Sequence, residues 1–114
     1  MQQITTLAMN PKDIEIKLNE VFLPSDKIVA REIEGELLII PIGEGLADLN
    51  DEMFSLNGTG LIIWKKLHPD NDVETICRDL AQHYYASLDV IKTDVTGFLK
   101  MLIAKKIITK IPRV

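Results

Sequence analysis

A Gly-Thr-Gly turn is the first feature of the sequence whose residue types and spacing could support chemistry. Gly58, Thr59 and Gly60 lie between a predicted strand and a predicted helix, where nucleotide-binding proteins hold phosphate groups. Here the glycines are followed directly by four apolar residues, and no Gly-Lys-Ser/Thr sequence is present to reach a phosphate. The pattern therefore favours a helix start that Asn57 caps. Loss of such a cap would cost about 0.5–2 kcal/mol of stability. Trp64 is then predicted to be a buried anchor.

The histidines and the single cysteine do not form a recognisable metal or catalytic pattern. His68 and His83 lie on different predicted helices, and neither has a second His or Cys at ligand spacing. We expect His68 to contact the carbonyl groups that end the first helix. Cys77 falls on a predicted buried stripe, which is typical of an inert core thiol. Because no nucleophile, base and acid can be grouped, the sequence predicts a protein that is not an enzyme and has no cofactor or metal.

Length and charge narrow the class of protein. The 114 residues suffice for one domain, and the net charge of −4 with a pI near 5.1 weighs against a nucleic-acid partner. A lone cysteine excludes a disulfide framework within the chain. No secretory signal pattern and no apolar run of membrane-spanning length is present, so the prediction is a cytoplasmic protein with no membrane partner.

Three short strands are predicted in the first half of the chain. The segments "IVAREI" and "LLIIPI" are rich in β-branched residues and are separated by Glu34 and Gly35, which predicts a hairpin. Residues 53–56 predict a third strand. The "LLIIPI" segment is apolar on both faces, so both must be covered. Helices can cover one face, and the other would need residues 1–24, a second copy of the chain in a homodimer, or a partner.

The second half predicts three helices. They start after Asn57, Asp72 and Ser87, whose side chains can accept hydrogen bonds from the first turn, and they extend to about residues 67, 84 and 106. One stripe of the second helix carries Val73, Ile76, Leu80 and Tyr84. The closing "IITKI" predicts a short strand or an extended tail. Strands followed by helices indicate a small α+β domain.

The short "YAS" link between the second and third helices is typical of a winged helix, which leaves a nucleic-acid-binding or regulatory module as an alternative. A DNA-reading helix needs basic or amide groups in its exposed first turns. The third helix instead begins with a mixed set: Asp89, Val90, Lys92, Thr93 and Asp94. A small enzyme has the least support.

An ordered set of residues in the second half resembles the pattern of the PqqD-like proteins, the pyrroloquinoline quinone biosynthesis protein D family. The matching positions are Phe54, Leu56, Asn57, Gly60, Ile63, Trp64, Val73, Glu74, Ile76, Tyr84, Val90, Asp94, Phe98 and Leu99. The resemblance covers about residues 25–111, which we take as the domain, with residues 1–24 as an N-terminal arm. One departure is the end of the third helix, where Lys105 and Lys106 stand in place of the glycine common in such families.

The resemblance implies a winged-helix-like recognition element, with a three-stranded antiparallel sheet packed against three helices. Such an element is a non-catalytic peptide chaperone. It holds the leader of a ribosomally made precursor peptide by strand addition and presents it to a modifying enzyme of the radical S-adenosylmethionine type. By this analogy the peptide binds the edge of the third strand and the third helix, at Met53, Phe54, Ser55, Leu56, Asp94, Phe98 and Met101.

Overall fold

Two antiparallel sheets and three helices make up the computed structural model, which describes residues 13–42 and 53–112. The elements are β1 (Val21–Pro24), β2 (Ile28–Ile33), β3 (Glu36–Pro41), β4 (Phe54–Leu56), α1 (Gly58–Lys65), α2 (Val73–Ala81), α3 (Leu88–Ala104) and β5 (Ile108–Ile111). One sheet has the order β2-β3-β4, and the other pairs β1 with β5. The predicted α+β class, with a three-stranded antiparallel sheet and three helices, is confirmed.

The hairpin between β2 and β3 turns at the two predicted residues. Glu34 and Gly35 both have positive φ angles, 50° and 81°, which are the values of a type I′ turn. This turn matches the right-handed twist of the flanking strands. It aligns Ile33 opposite Glu36 and Ile28 opposite Pro41.

The core lies between the inner face of the three-stranded sheet and the three helices. The sheet contributes Leu37, Ile39 and Leu56, all buried. The helices add buried residues at the expected helical spacing: Leu61, Ile63, Val73, Ile76, Cys77, Leu80, Ile91, Val95, Leu99 and Leu102. No buried polar or charged residue occurs among the residues described, so apolar burial holds these layers together.

The strand β1 joins the N-terminal part of the chain to the rest of the fold. Its residues pair with β5 from Val21 opposite Ile111 to Pro24 opposite Ile108, and Val21 and Phe22 are buried. Just before β1, the carbonyls of Leu18 and Glu20 accept hydrogen bonds from the first backbone N–H groups of α2. Residues 1–12 lie outside the described residues, and the predicted division into an arm and a domain at residue 24 stays a prediction.

The start of α1 differs from the sequence prediction in its cap. Asn57 occupies the N-cap position with extended backbone angles, but its side chain makes no capping hydrogen bond. Trp64 is half-buried, whereas Leu61 and Ile63 are the buried residues of the helix. The prediction of a side-chain cap is therefore wrong, and Trp64, predicted to be a buried anchor, packs against the core but is only partly buried.

The helix α2 starts as predicted and ends early. Asp72 accepts hydrogen bonds from the backbone N–H and the hydroxyl of Thr75, at 2.9 and 2.7 Å. The helix ends at Ala81, three residues before its predicted end, so Tyr84 leaves the apolar stripe and is 40% exposed. The buried face of α2 is thus Val73, Ile76, Cys77 and Leu80 without the tyrosine.

The end of α3 shows how the chain manages without a glycine. Ser87 caps the start through the N–H of Val90, as predicted, and the helix ends at Ala104. Lys106 adopts a left-handed conformation with φ of 63°. Its N–H bonds the carbonyl of Ile103, and the N–H of Ile107 bonds that of Leu102. These two bonds are those of a Schellman motif, which here carries lysine at the position that usually holds glycine.

Candidate functional site

The strand β4 forms one edge of the three-stranded sheet. It pairs with β3 through Leu56 opposite Leu37, Ser55 opposite Leu38 and Phe54 opposite Ile39. Within the described ranges no strand pairs with its other side. An edge strand presents backbone N–H and C=O groups that another extended chain can bond.

The direction of these backbone groups follows from the alternation along β3. The N–H of Ile42 donates to the carbonyl of Lys27, on the β2 side. Backbone groups alternate between the two sides of a strand, so Ile40 and Leu38, two and four positions earlier, also direct their N–H and C=O groups towards β2. Leu37 and Ile39 therefore direct theirs towards β4. Ser55, opposite Leu38, therefore directs its own N–H and C=O to the open edge.

A row of residues on α3 lies at the margin of the buried arc of that helix. At 100° per residue, Asp94, Phe98, Met101 and Lys105 fall within about 60° of one another. Phe98 and Met101 are half-buried, and the two charged residues at the ends of the row are exposed. We call these four residues the α3 row.

Two contacts place the α3 row beside β4. A Cβ atom built on Gly60 would lie 3.3 Å from the ring of Phe98 and 3.6 Å from the side chain of Leu56. The ammonium group of Lys105 lies 5.4 Å from the centroid of the Phe54 ring, within the range of a cation–π contact. The small residue at position 60 therefore allows Phe98 and Leu56 to pack closely against the first turn of α1.

A cavity of about 190 Å³ lies at the Asp94 end of the row. Asp94 and Thr59 contribute polar groups, and the remaining lining is largely apolar: Ile63, Leu80, Tyr84, Ala86, Ile91 and Val95. An apolar cavity of about 150 Å³ can hold a benzene molecule, so this one can admit a large apolar side chain. The α3 row thus passes β4 in the antiparallel sense, with Asp94 near Thr59 and Lys105 near Phe54.

The structure brings most of the predicted binding residues to one surface, which we call the β4–α3 surface and define as β4 with the α3 row. Phe54 is half-buried on the side of the sheet that faces α3, whereas the exposed side chains of Ser55 and Met53 alternate with it and lie on the outer face. Leu56 is buried and contributes to the core, so its side chain is not available to a ligand. Lys105 belongs to this surface and was missed, although its position seven residues after Phe98 places it on the same helical face.

The outer face of the three-stranded sheet carries exposed apolar side chains. Ile33 and Ile40 lie on the face opposite the core, and both are exposed. Ile42 and Met53, next to the ends of β3 and β4, are more than half exposed. The helices cover the inner face as predicted, and the described residues leave these outer side chains accessible.

Cys77 and His68, the other residues considered for chemistry, have roles in the fold. Burial raises the pKa of the Cys77 thiol and keeps it protonated. His68 accepts a hydrogen bond from the N–H of Asp70 through Nδ1 at 3.0 Å, which is a structural contact in the turn after α1. No group of three His, Cys, Asp or Glu residues that could hold a metal occurs in the part of the chain that the structure describes.

The family of Coenzyme PQQ synthesis protein D (PqqD) matches residues 36–108, nearly two thirds of the chain. The chain belongs to the PqqD family. The match spans β3 through the start of β5 and so includes every element of the β4–α3 surface. None of the curated proteins matches the chain.

One solved structure that matches the chain is described as "TbiB1 in Complex with the TbiA(beta) Leader Peptide". It superposes with a TM-score of 0.66 at 22% identity and covers 80% of this chain and 99% of that one. At this identity the likeness shows that the present chain, a member of the PqqD family, has the same fold as the solved structure.

No described helix is long and apolar enough to cross a lipid bilayer.

Proposed function

We propose that this chain binds the leader segment of a ribosomally made precursor peptide at the β4–α3 surface. The observation that carries the proposal is the edge of β4 that no described strand pairs with, next to a half-buried helical row, in a member of the PqqD family. The solved structure with the same fold is a complex with a leader peptide, which supports the same class of ligand.

The physical basis of binding is strand addition. An extended peptide pairs with the open edge of β4, and its backbone bonds the outward N–H and C=O groups of Ser55. The side chains that point to the core side then meet Phe98 and Met101. Backbone bonds supply affinity for any extended chain, whereas the helical row and the cavity beside Asp94 distinguish one peptide from another.

The role is one of presentation and not of catalysis. We infer that the bound leader positions its precursor for a modifying enzyme of the radical S-adenosylmethionine type. The start of α3 supports a peptide over a nucleic acid, because exposed Asp89 and Asp94 would repel phosphate groups.

A proline at position 55 tests the site. Ser55→Pro removes the outward N–H and leaves the bonds between β3 and β4, because residue 55 does not donate to β3. The probe is a peptide selected on the full chain from a display library of short random peptides. We expect binding, measured by calorimetry, to weaken about tenfold or more, since a backbone bond is lost and the ring obstructs the edge.

Two variants serve as controls. Ser55→Ala retains the N–H and should bind as the original chain does. Ala30→Pro places a proline on the opposite edge of the same sheet, at a position whose N–H also points outward, and should leave affinity unchanged. Equal affinity of Ser55→Pro and Ser55→Ala, or peptide-induced amide shifts that avoid residues 53–56 and α3, would refute the proposal.

A further inference from the structure

The β4–α3 surface is electrically asymmetric along its length. Asp94 lies at one end of the α3 row and Lys105 at the other, with Phe98 and Met101 between them. Neither charged group forms an ion pair with any residue that the structure describes. Both charges are therefore available to a ligand that lies along the row.

The contacts of the row fix which charge faces which end of β4. Lys105 lies over the ring of Phe54, at the start of the strand. Asp94 lines a cavity together with Thr59, which follows the end of the strand. A peptide strand antiparallel to β4, as β3 is, would therefore pass Asp94 first and Lys105 last.

We infer that this surface selects its peptide by charge order: the peptide carries a basic residue N-terminal to an acidic one, with apolar residues between them. This inference rests on the proposed function and specifies its ligand. The basic side chain pairs with Asp94, and the acidic side chain pairs with Lys105. A peptide bound in the reverse direction, or with its charges exchanged, places like charges together at both ends.

The spacing of the two charges follows from element geometry. Asp94 and Lys105 are eleven residues apart on a helix that rises 1.5 Å per residue, or about 16 Å. An extended strand covers this distance in about five residues at 3.3 Å each. Side chains that face the same side alternate along a strand, so the separation must be even, at four or six residues.

The exposure of Asp94 and Lys105 limits how strongly the charge order of a peptide can change its affinity. Ion pairs between exposed groups contribute modestly, so each contact changes affinity by about two- to fivefold. The two contacts together distinguish the correct charge order from the reversed one by about tenfold. Backbone pairing with β4 gives no such distinction, because it does not depend on side chains.

A charge exchange in the protein tests the inference. A display library of short random peptides is selected on the full chain and on the double variant Asp94→Lys with Lys105→Glu. We expect peptides selected on the original chain to carry the basic residue first, and peptides selected on the variant to carry the acidic residue first. The control, Asp89→Lys with Lys100→Glu, makes the same charge changes on other faces of α3 and should keep the original order.

The outcomes separate this inference from the proposed function. Selected peptides that lose binding to Ser55→Pro occupy the β4 edge. If such peptides show no charge order, or the same order on both proteins, the charge rule is wrong and strand addition stands. If the selected peptides bind Ser55→Pro as well as the original chain, the edge is not the site and both proposals fail.

Discussion

Lys106 holds a backbone conformation that side chains disfavour. Its φ of 63° lies in the left-handed region, which costs a residue with a Cβ atom about 1–2 kcal/mol relative to glycine. The hydrogen bonds of Lys106 and Ile107 to the last turn of α3 maintain the conformation in spite of this cost.

Replacing this lysine should therefore stabilise the protein. We expect Lys106→Gly to raise the free energy of unfolding by about 1 kcal/mol, measured by urea denaturation. Lys105→Gly is the matched control, because Lys105 has φ of −87° and gains nothing from glycine. The assignment of the left-handed residue would be wrong if the two variants shifted stability in the same direction.

Glu20 links β5 to the segment before β1 through its charge. Partial burial alone would raise the pKa of its carboxyl group. The hydrogen bond from the Lys17 N–H and the ion pair with Lys110, at 3.2 Å, outweigh burial and lower that pKa below its ordinary value of 4.5. The charged carboxylate is therefore the form that the folded state favours.

This shift predicts a pH-dependent loss of stability in Glu20→Gln. We expect the variant to lose about 1 kcal/mol at neutral pH, where the carboxylate is charged in both folded and unfolded states. The difference should persist down to about pH 4.5 and disappear as the pH falls through the lower, folded-state pKa. Thermal unfolding at pH values from neutral to below 4.5 measures the difference in stability between the variant and the original chain. The variant Glu15→Gln, at an exposed position, is the control. A difference that does not depend on pH would contradict the electrostatic explanation.

At the scale of elements, the N-terminal caps of α1 and α2 differ, although Asn57 and Asp72 are both residue types that are common at the N-cap position. Asp72 bonds Thr75 through its carboxylate, whereas the side chain of Asn57 makes no capping bond. We expect Asp72→Ala to cost about 1 kcal/mol of unfolding free energy and Asn57→Ala less than half of that, measured by chemical denaturation. Equal losses would mean that Asn57 caps α1 in solution.

Elements that depend on neighbouring residues could be predicted from the sequence. The hairpin follows from Glu34 and Gly35, and the starts of α2 and α3 follow from Asp72 and Ser87, since each signal lies within a few residues of its effect. The strand β1 could not be predicted in this way. Its partner residues lie near position 110, and no local pattern identifies them.

The candidate site shows the same division between local and distant information. Helical periodicity predicts that Asp94, Phe98 and Met101 share a face, and the structure agrees. The burial of Leu56 and the position of Lys105 over Phe54 depend on how α3 packs against β4. That packing involves residues about 50 positions apart and is beyond a pattern in one sequence.

At the scale of the whole molecule, β1 packs into the same core as the helices. Phe22 is buried in the core cluster together with residues of α2, α3 and β5. We expect Phe22→Ala to lower the free energy of unfolding by about 3–5 kcal/mol, a large part of the stability of a domain this size.

The measurement follows Trp64 fluorescence and circular dichroism in the same denaturation series. The two signals should shift together, because loss of the Phe22 side chain weakens the core that β1 shares with the helices. Leu23→Ala, at a half-buried position of the same strand, should have a smaller effect. A loss below about 1 kcal/mol for Phe22→Ala would instead indicate that β1 is dispensable, as a simple arm would be.

The pairing of β1 with β5 also determines how the molecule responds to mechanical tension. Val21 and Ile111 form the terminal pair of this two-stranded ladder. A force that pulls these two residues apart loads the ladder one rung at a time and would unzip it at low force. The β4 edge lies in the other sheet, so such a force would reach the β4–α3 surface only through the core that Phe22 shares with α2 and α3.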